Sequence, residues 1–95
     1  MDDPKVLFVA NSVANVMIGA TPEFRLGAVM YLLHTALRWT QARCARTFGF
    51  DPTTVRYWVR RIEDARDDPR FDNAMNQLEQ DVSISQWNVK INNDT

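Results

Sequence analysis

Four prolines punctuate this chain: Pro4, Pro22, Pro52 and Pro69. Thr21, Asp51 and Asp68, directly ahead of Pro22, Pro52 and Pro69, are residues able to cap a helix. Proline disrupts a helix interior but suits its first position, where the missing N–H would have no partner anyway and φ is already helical. A side-chain oxygen one residue earlier can accept from the free amides of the first turn. The pattern therefore predicts where helices begin, and leaves little room for strands.

Hydrophobic spacing fills in what the prolines open. Residues 4–18 carry Val6, Val9, Ala10, Val13 and Met17 on one stripe, with Asn11 and Asn15 off it, and Gly19 breaks the run. Residues 22–37 are apolar nearly all round, from Phe24 and Leu26 through Val29, Met30, Leu32 and Leu33 to Leu37, which predicts the central helix of a bundle. Glu23 suits the positive end of its dipole. A short helix follows Thr40 and ends at Phe48 and Gly49; a fourth begins at Pro52 after Asp51. A fifth begins at Pro69, with Phe71, Ala74, Met75, Leu78 and Val82 inward to close the core. The expected fold class is all-α, a five-helix bundle. From Ser83 the signal fades. Ile84, Trp87, Val89 and Ile91 alternate with polar residues, fitting either a short extended segment or a loose tail, so the expected division is a domain over residues 1–82 and a tail over 83–95.

Ninety-five residues make one domain, and a single cysteine allows no internal disulfide and no metal framework. No apolar run is long enough to span a membrane, and the acidic start lacks the basic region of a signal peptide, so a cytoplasmic location is expected. Net charge is −1, but it is unevenly spread. Residues 38–61 hold six arginines against Asp51, a balance of +5, and residues 62–81 hold seven acids against Arg66 and Arg70, a balance of −5. At physiological salt the Debye length is about 8 Å, so the acidic segment does not cancel a basic face pointing away from it.

The basic stretch coincides with Thr40–Ile62, which reads as a helix-turn-helix. Val55, Trp58, Val59 and Ile62 recur at i, i+3, i+4 and i+7 and are expected inward. That turns Thr53, Arg56, Tyr57 and Arg60 outward together. Arginine can take guanine edges or phosphates, threonine can hydrogen-bond either, and tyrosine can reach a phosphate. Arg43 and Arg46, on the shorter helix, join the DNA-binding candidates. Cys44 is expected to fill a small core site and His34 to be a hydrogen-bonded core or boundary residue. A lone cysteine and a lone histidine make no metal site. No catalytic residue, cofactor or small-molecule substrate is expected. Trp39 is expected at a corner between helices, and Trp87 is expected to pack onto the bundle, with anchoring of a partner from an exposed tail as the alternative.

With these residues laid out, the chain resembles the C-terminal DNA-binding domain of the bacterial replication initiator DnaA, a helical domain grouped with Trp-repressor-like folds. The likeness covers roughly residues 4–82. The A-V-M-Y-L-L helix is similar to the family's A-M-Y-L-A-R segment, and F-G-F-D-P-T-T-V to its F-G-G-R-D-H-T-T-V. The resemblance implies that Asp51, Thr53 and Thr54 belong to the DNA-reading region. Here the loop is one residue shorter, has no arginine, and carries Pro52 where the family has histidine. Arg25 is the counterpart of the family's basic minor-groove loop. No phosphate-binding loop of the initiator's ATPase is present. The resemblance implies a free-standing double-stranded DNA binder regulating replication initiation or transcription, with a replication-initiation protein as a further partner. The alternative is a protein-interaction module that keeps the initiator-like fold without reading DNA, and holds a partner through the acidic segment or the tail.

Overall fold

The computed structural model describes the backbone of residues 3–93 and the side chains of residues 3–84. Five helices are present: α1 (Pro4–Val16), α2 (Pro22–Thr35), α3 (Gln41–Phe48), α4 (Pro52–Ala65) and α5 (Pro69–Asn93), with no strand among the described residues. Every proline is the first residue of a helix. Asp3 Oδ1 accepts from the Lys5 amide at 2.9 Å, Thr21 Oγ1 from Phe24 at 3.2 Å, Thr40 Oγ1 from Arg43 at 3.0 Å and Asp68 Oδ1 from Arg70 at 2.9 Å. Asp51 differs from expectation. It occupies the cap position of α4, but its side chain makes no capping bond, and only its carbonyl accepts, from Thr54 at 3.0 Å and Val55 at 3.3 Å.

The central helix is α2, buried over seven consecutive residues from Gly27 to Leu33 and in contact with each of the other four helices. That all-round burial follows from its nearly continuous apolar sequence. Around it, α1 contributes Val6, Val9, Val13 and the adjoining Met17, α4 contributes Val55, Val59 and Ile62, and α5 contributes Met75, Leu78 and Val82. Each set lies on one helical stripe, so one face of each outer helix is committed to the core.

Two junctions position α3 and α4. Between α2 and α3 the chain turns at Arg38, whose φ of 61° is left-handed, and this brings Trp39 into the core. The His34 Nδ1–H donates to the Trp39 carbonyl at 2.7 Å, tying the end of α2 to the start of α3. Gly49, at φ 76°, ends α3; its own N–H and that of Phe50 both return to the Ala45 carbonyl. Glycine adopts this backbone without the Cβ penalty other residues carry. Three residues, Gly49 to Asp51, then separate α3 from α4.

The tail reading needs correction. Rather than ending near residue 82 and giving way to an extended segment, α5 continues to Asn93. Residues 70–93 contain neither glycine nor proline to break it. Ile84, Trp87 and Ile91 also stand at i, i+3 and i+7, a helical spacing hidden by the apparent alternation. Trp87 lies outside the described side chains. The first two helices stop at Val16 and Thr35, each two residues before the expected ends at 18 and 37.

Among the described residues no helix is long and apolar enough to cross a membrane, and no group of three or more His, Cys, Asp or Glu side chains could hold a metal ion. Cys44 is fully buried, its Sγ 3.9 Å from the Met30 carbonyl. Burial pushes its thiol pKa up, against the opposing pull of the Arg43 charge. A neutral buried thiol of this kind packs as a small apolar group.

Candidate nucleic-acid interface

The two faces of α4 have opposite fates. With Val55, Val59 and Ile62 buried, Thr53, Arg56, Tyr57, Arg60 and Arg61 stand exposed on the other side. Together with Asp64, Ala65 and Phe24 of α2 these five line an open groove of about 850 Å³. The four outward residues expected from helical spacing are therefore brought together. Among the described residues, Arg56, Arg60 and Arg61 make no salt bridge, so three positive charges meet solvent along one face.

Behind this face stands Trp58, half-buried rather than fully inward as its spacing implied. At 100° per residue it sits on the edge of the apolar stripe, and its ring lies against α2 where that helix carries Gly27. A Cβ on Gly27 would fall 2.5 Å from Trp58 Cε3, so the close approach of α4 to α2 depends on that glycine. Phe24 meets Trp58 edge-on with centroids 6.4 Å apart and Phe71 at 5.7 Å, joining α2, α4 and α5. Tyr57 makes a T-shaped contact with Trp58 at 5.3 Å and keeps 56% of its surface exposed. Nothing in the spacing of either aromatic residue alone signals this cluster, because Phe24 and Gly27 arrive from another helix.

The remaining candidates scatter. Arg43 and Arg46 are exposed on α3, and the Arg43 guanidinium lies 3.7 Å over the Trp39 ring. That cation–π contact holds Arg43 close to the surface of its own domain. Asp51, Pro52 and Thr53 are exposed at the start of α4, whereas Thr54 is turned partly inward. Arg25, expected as a minor-groove contact, is half-buried and does not line the groove; its neighbour Phe24 does. Arg61 and Asp64 count in the charge balance but are not among the residues expected to contact DNA. They follow Tyr57 and Arg60 at i+4, so extending the outward stripe by one turn would have found both.

The acidic segment is partly used up inside the fold. Arg66, at the C-terminal cap of α4, donates through Nε to Asp72 Oδ1 at 2.6 Å, through a terminal nitrogen to Tyr31 Oη at 3.0 Å and Glu79 Oε1 at 3.2 Å, and through the other to Asn76. Thr35 Oγ1 donates to the second Glu79 oxygen at 3.1 Å. Burial alone would lower the Arg66 pKa, but its bonds to Asp72, Tyr31 and Glu79 outweigh that and raise it, so the guanidinium stays charged. No protein-family model, curated protein or solved structure significantly matches this chain.

Proposed function

We propose that this protein binds double-stranded DNA with a sequence preference, presenting α4 as the reading helix of a helix-turn-helix, and that it acts as a small regulator of replication initiation or transcription. One observation carries the proposal: Thr53, Arg56, Tyr57 and Arg60 share an exposed face with Arg61, while the opposite face of the same helix is locked into the core. A rigid helix with a basic outer face is what phosphate positioning and base-edge reading require. The left-handed Gly49 and the three-residue connection keep α3 close behind it. The likeness of F-G-F-D-P-T-T-V to the initiator family supports the replication assignment.

An anisotropy titration against random and initiator-box duplexes at two salt concentrations tests the proposal. Binding that weakens steeply with salt and differs between duplexes supports it; no binding at low salt ends it. A second reading, an interaction module acting on a replication-initiation protein, is favoured by α1, where Leu7, Phe8 and Val16, with the adjoining Ile18, are exposed and Lys5 is the only charge. The acidic segment supports that reading less, because Asp72 and Glu79 are engaged by Arg66.

A further inference from the structure

We propose that the groove along α4 takes an unstacked base of a single nucleic-acid strand, with Tyr57 as the stacking platform, Arg60 and Arg61 on the flanking phosphates and Asp64 on the base edge. This rests on the nucleic-acid reading above and extends it to a second form of ligand. Half-buried Phe24 and Ala65 supply the groove's apolar lining, and exposed Thr53, Arg56, Tyr57, Arg60, Arg61 and Asp64 line it as well. Aromatic and apolar side chains among the arginines are more than phosphates alone require.

Intact duplex offers base edges and phosphates, while the flat faces of its bases stay stacked inside. Single strands offer those faces, and proteins hold them on aromatic side chains beside a basic track. The contact of Tyr57 with Trp58 is T-shaped, with an interplanar angle of 81°, so Trp58 does not stack on the tyrosine ring, and Tyr57 keeps more than half of its surface exposed. Arg60 and Arg61 have no salt-bridge partner among the described residues and are available to phosphates. Asp64 is the revealing member. A carboxylate in a groove for a polyanion repels phosphate, but it can accept from an exocyclic amino group such as cytosine N4. The volume of about 850 Å³ leaves room for a nucleotide with its neighbouring phosphates.

The test measures anisotropy with twelve-nucleotide oligo-dC, oligo-dT and a mixed-sequence duplex. The parent protein is expected to bind oligo-dC more tightly than oligo-dT. Tyr57→Ala should weaken oligo-dC by about tenfold and the duplex, which loses at most a phosphate contact of the hydroxyl, by clearly less, whereas Tyr57→Phe, which keeps the ring, should bind oligo-dC like the parent. Asp64→Ala should erase the preference for oligo-dC. The inference is overturned if Tyr57→Phe loses as much as Tyr57→Ala, if Tyr57→Ala weakens duplex and single strand equally, or if the parent binds duplex and no single strand. In those cases duplex binding still stands. If the parent binds none of the three at low salt, both readings fall. Thermal melts accompany every variant; should Tyr57→Ala not fold, Tyr57→Phe and Asp64→Ala still decide.

Discussion

Arg60 and Arg66 are six residues apart, at either end of the last turn and a half of α4, and they do opposite work. Arg60 stands in the open groove with no salt bridge among the described residues. The Arg66 side chain is 17% exposed and joins α4 to Tyr31 of α2 and to Asp72, Asn76 and Glu79 of α5. The same guanidinium is a free surface charge in one place and a structural cross-brace in the other. What separates them is the surrounding chain, not the residue type. Local charge counting therefore overstates a binding face whenever some of its charges are already satisfied internally.

The sharpest way to break this comparison is Arg66→Ala. It leaves Asp72 and Glu79 without their cation and Tyr31 Oη without a donor, and removing the one cation of this partly buried cluster costs about 2–3 kcal/mol once solvent screening at the exposed acids is allowed for. The expected result in a thermal or urea melt is a large loss of stability, on the order of 15 °C in Tm for a domain this size. A melt unchanged from the parent would make Arg66 one more surface arginine.

Gly27→Ala comes next, with a cost of about 2 kcal/mol as an overpacked contact. Its Cβ would meet the Trp58 ring at 2.5 Å, and the ring is hemmed in by Phe24 and Tyr57, so the helices must separate. Trp58→Ala is costly by itself, but combined with Gly27→Ala the total loss should be smaller than the sum of the two, since the obstructing ring is gone. Strictly additive losses would show that the two positions do not press on one another.

A third kind of arginine sharpens the contrast. Arg38 is exposed and sits at φ 61°, a conformation costing a non-glycine residue about 1 kcal/mol. Arg38→Gly should stabilise the fold by up to that amount in a denaturant titration. At alkaline pH a smaller effect is expected from Tyr31 and Cys44, whose pKa values burial raises above their ordinary 10.0 and 9.0. Both stay neutral in the folded chain where the unfolded chain would ionise. Their contribution is thus complete below about pH 9 and is lost as pH rises through the folded values. Native Cys44 should resist thiol reagents at pH 8 and react only as the protein unfolds.

What could be read in advance was what one helix determines by itself. The starts of α1, α2, α4 and α5 follow from the prolines, the start of α3 from Thr40, and the buried stripes from spacing. What could not be read depended on chain segments meeting in space. Gly27 looked like an ordinary member of an apolar helix, yet it is the site where Trp58 crosses α2. Arg66 looked like part of the acidic segment's charge balance, yet it neutralises part of that segment from within. The groove was half legible: α4 supplied Thr53, Arg56, Tyr57 and Arg60 by its period, while Phe24 came from a helix assigned wholly to the core. The helical course beyond residue 82 was missed because an i, i+3, i+7 spacing with polar residues between also reads as alternation.

The smallest expected effect on stability, and the most informative for function, belongs to Arg60 and Arg56. Both are exposed on the face opposite Val55, Val59 and Ile62, so replacing either by alanine should change stability by no more than about 0.5 kcal/mol. Their effects on DNA should differ from each other. Arg56 lies one turn from the start of the helix, the end that enters a major groove first, and its loss should cost about 1–3 kcal/mol and relax preference at one base pair. Arg60 lies a turn further along and is expected to meet a phosphate. Its loss should weaken all duplexes alike, with the slope of log K against log salt shrinking by about one unit. Measured beside Arg66→Ala, these variants separate the two roles: Arg66→Ala should lower Tm while leaving binding intact below its own melt, and Arg60→Ala should do the reverse. If Arg60→Ala binds every duplex as the parent does, at the same salt slope, then the exposed arginines of α4 are a solvated face, and the absence of internal partners says nothing about an external one.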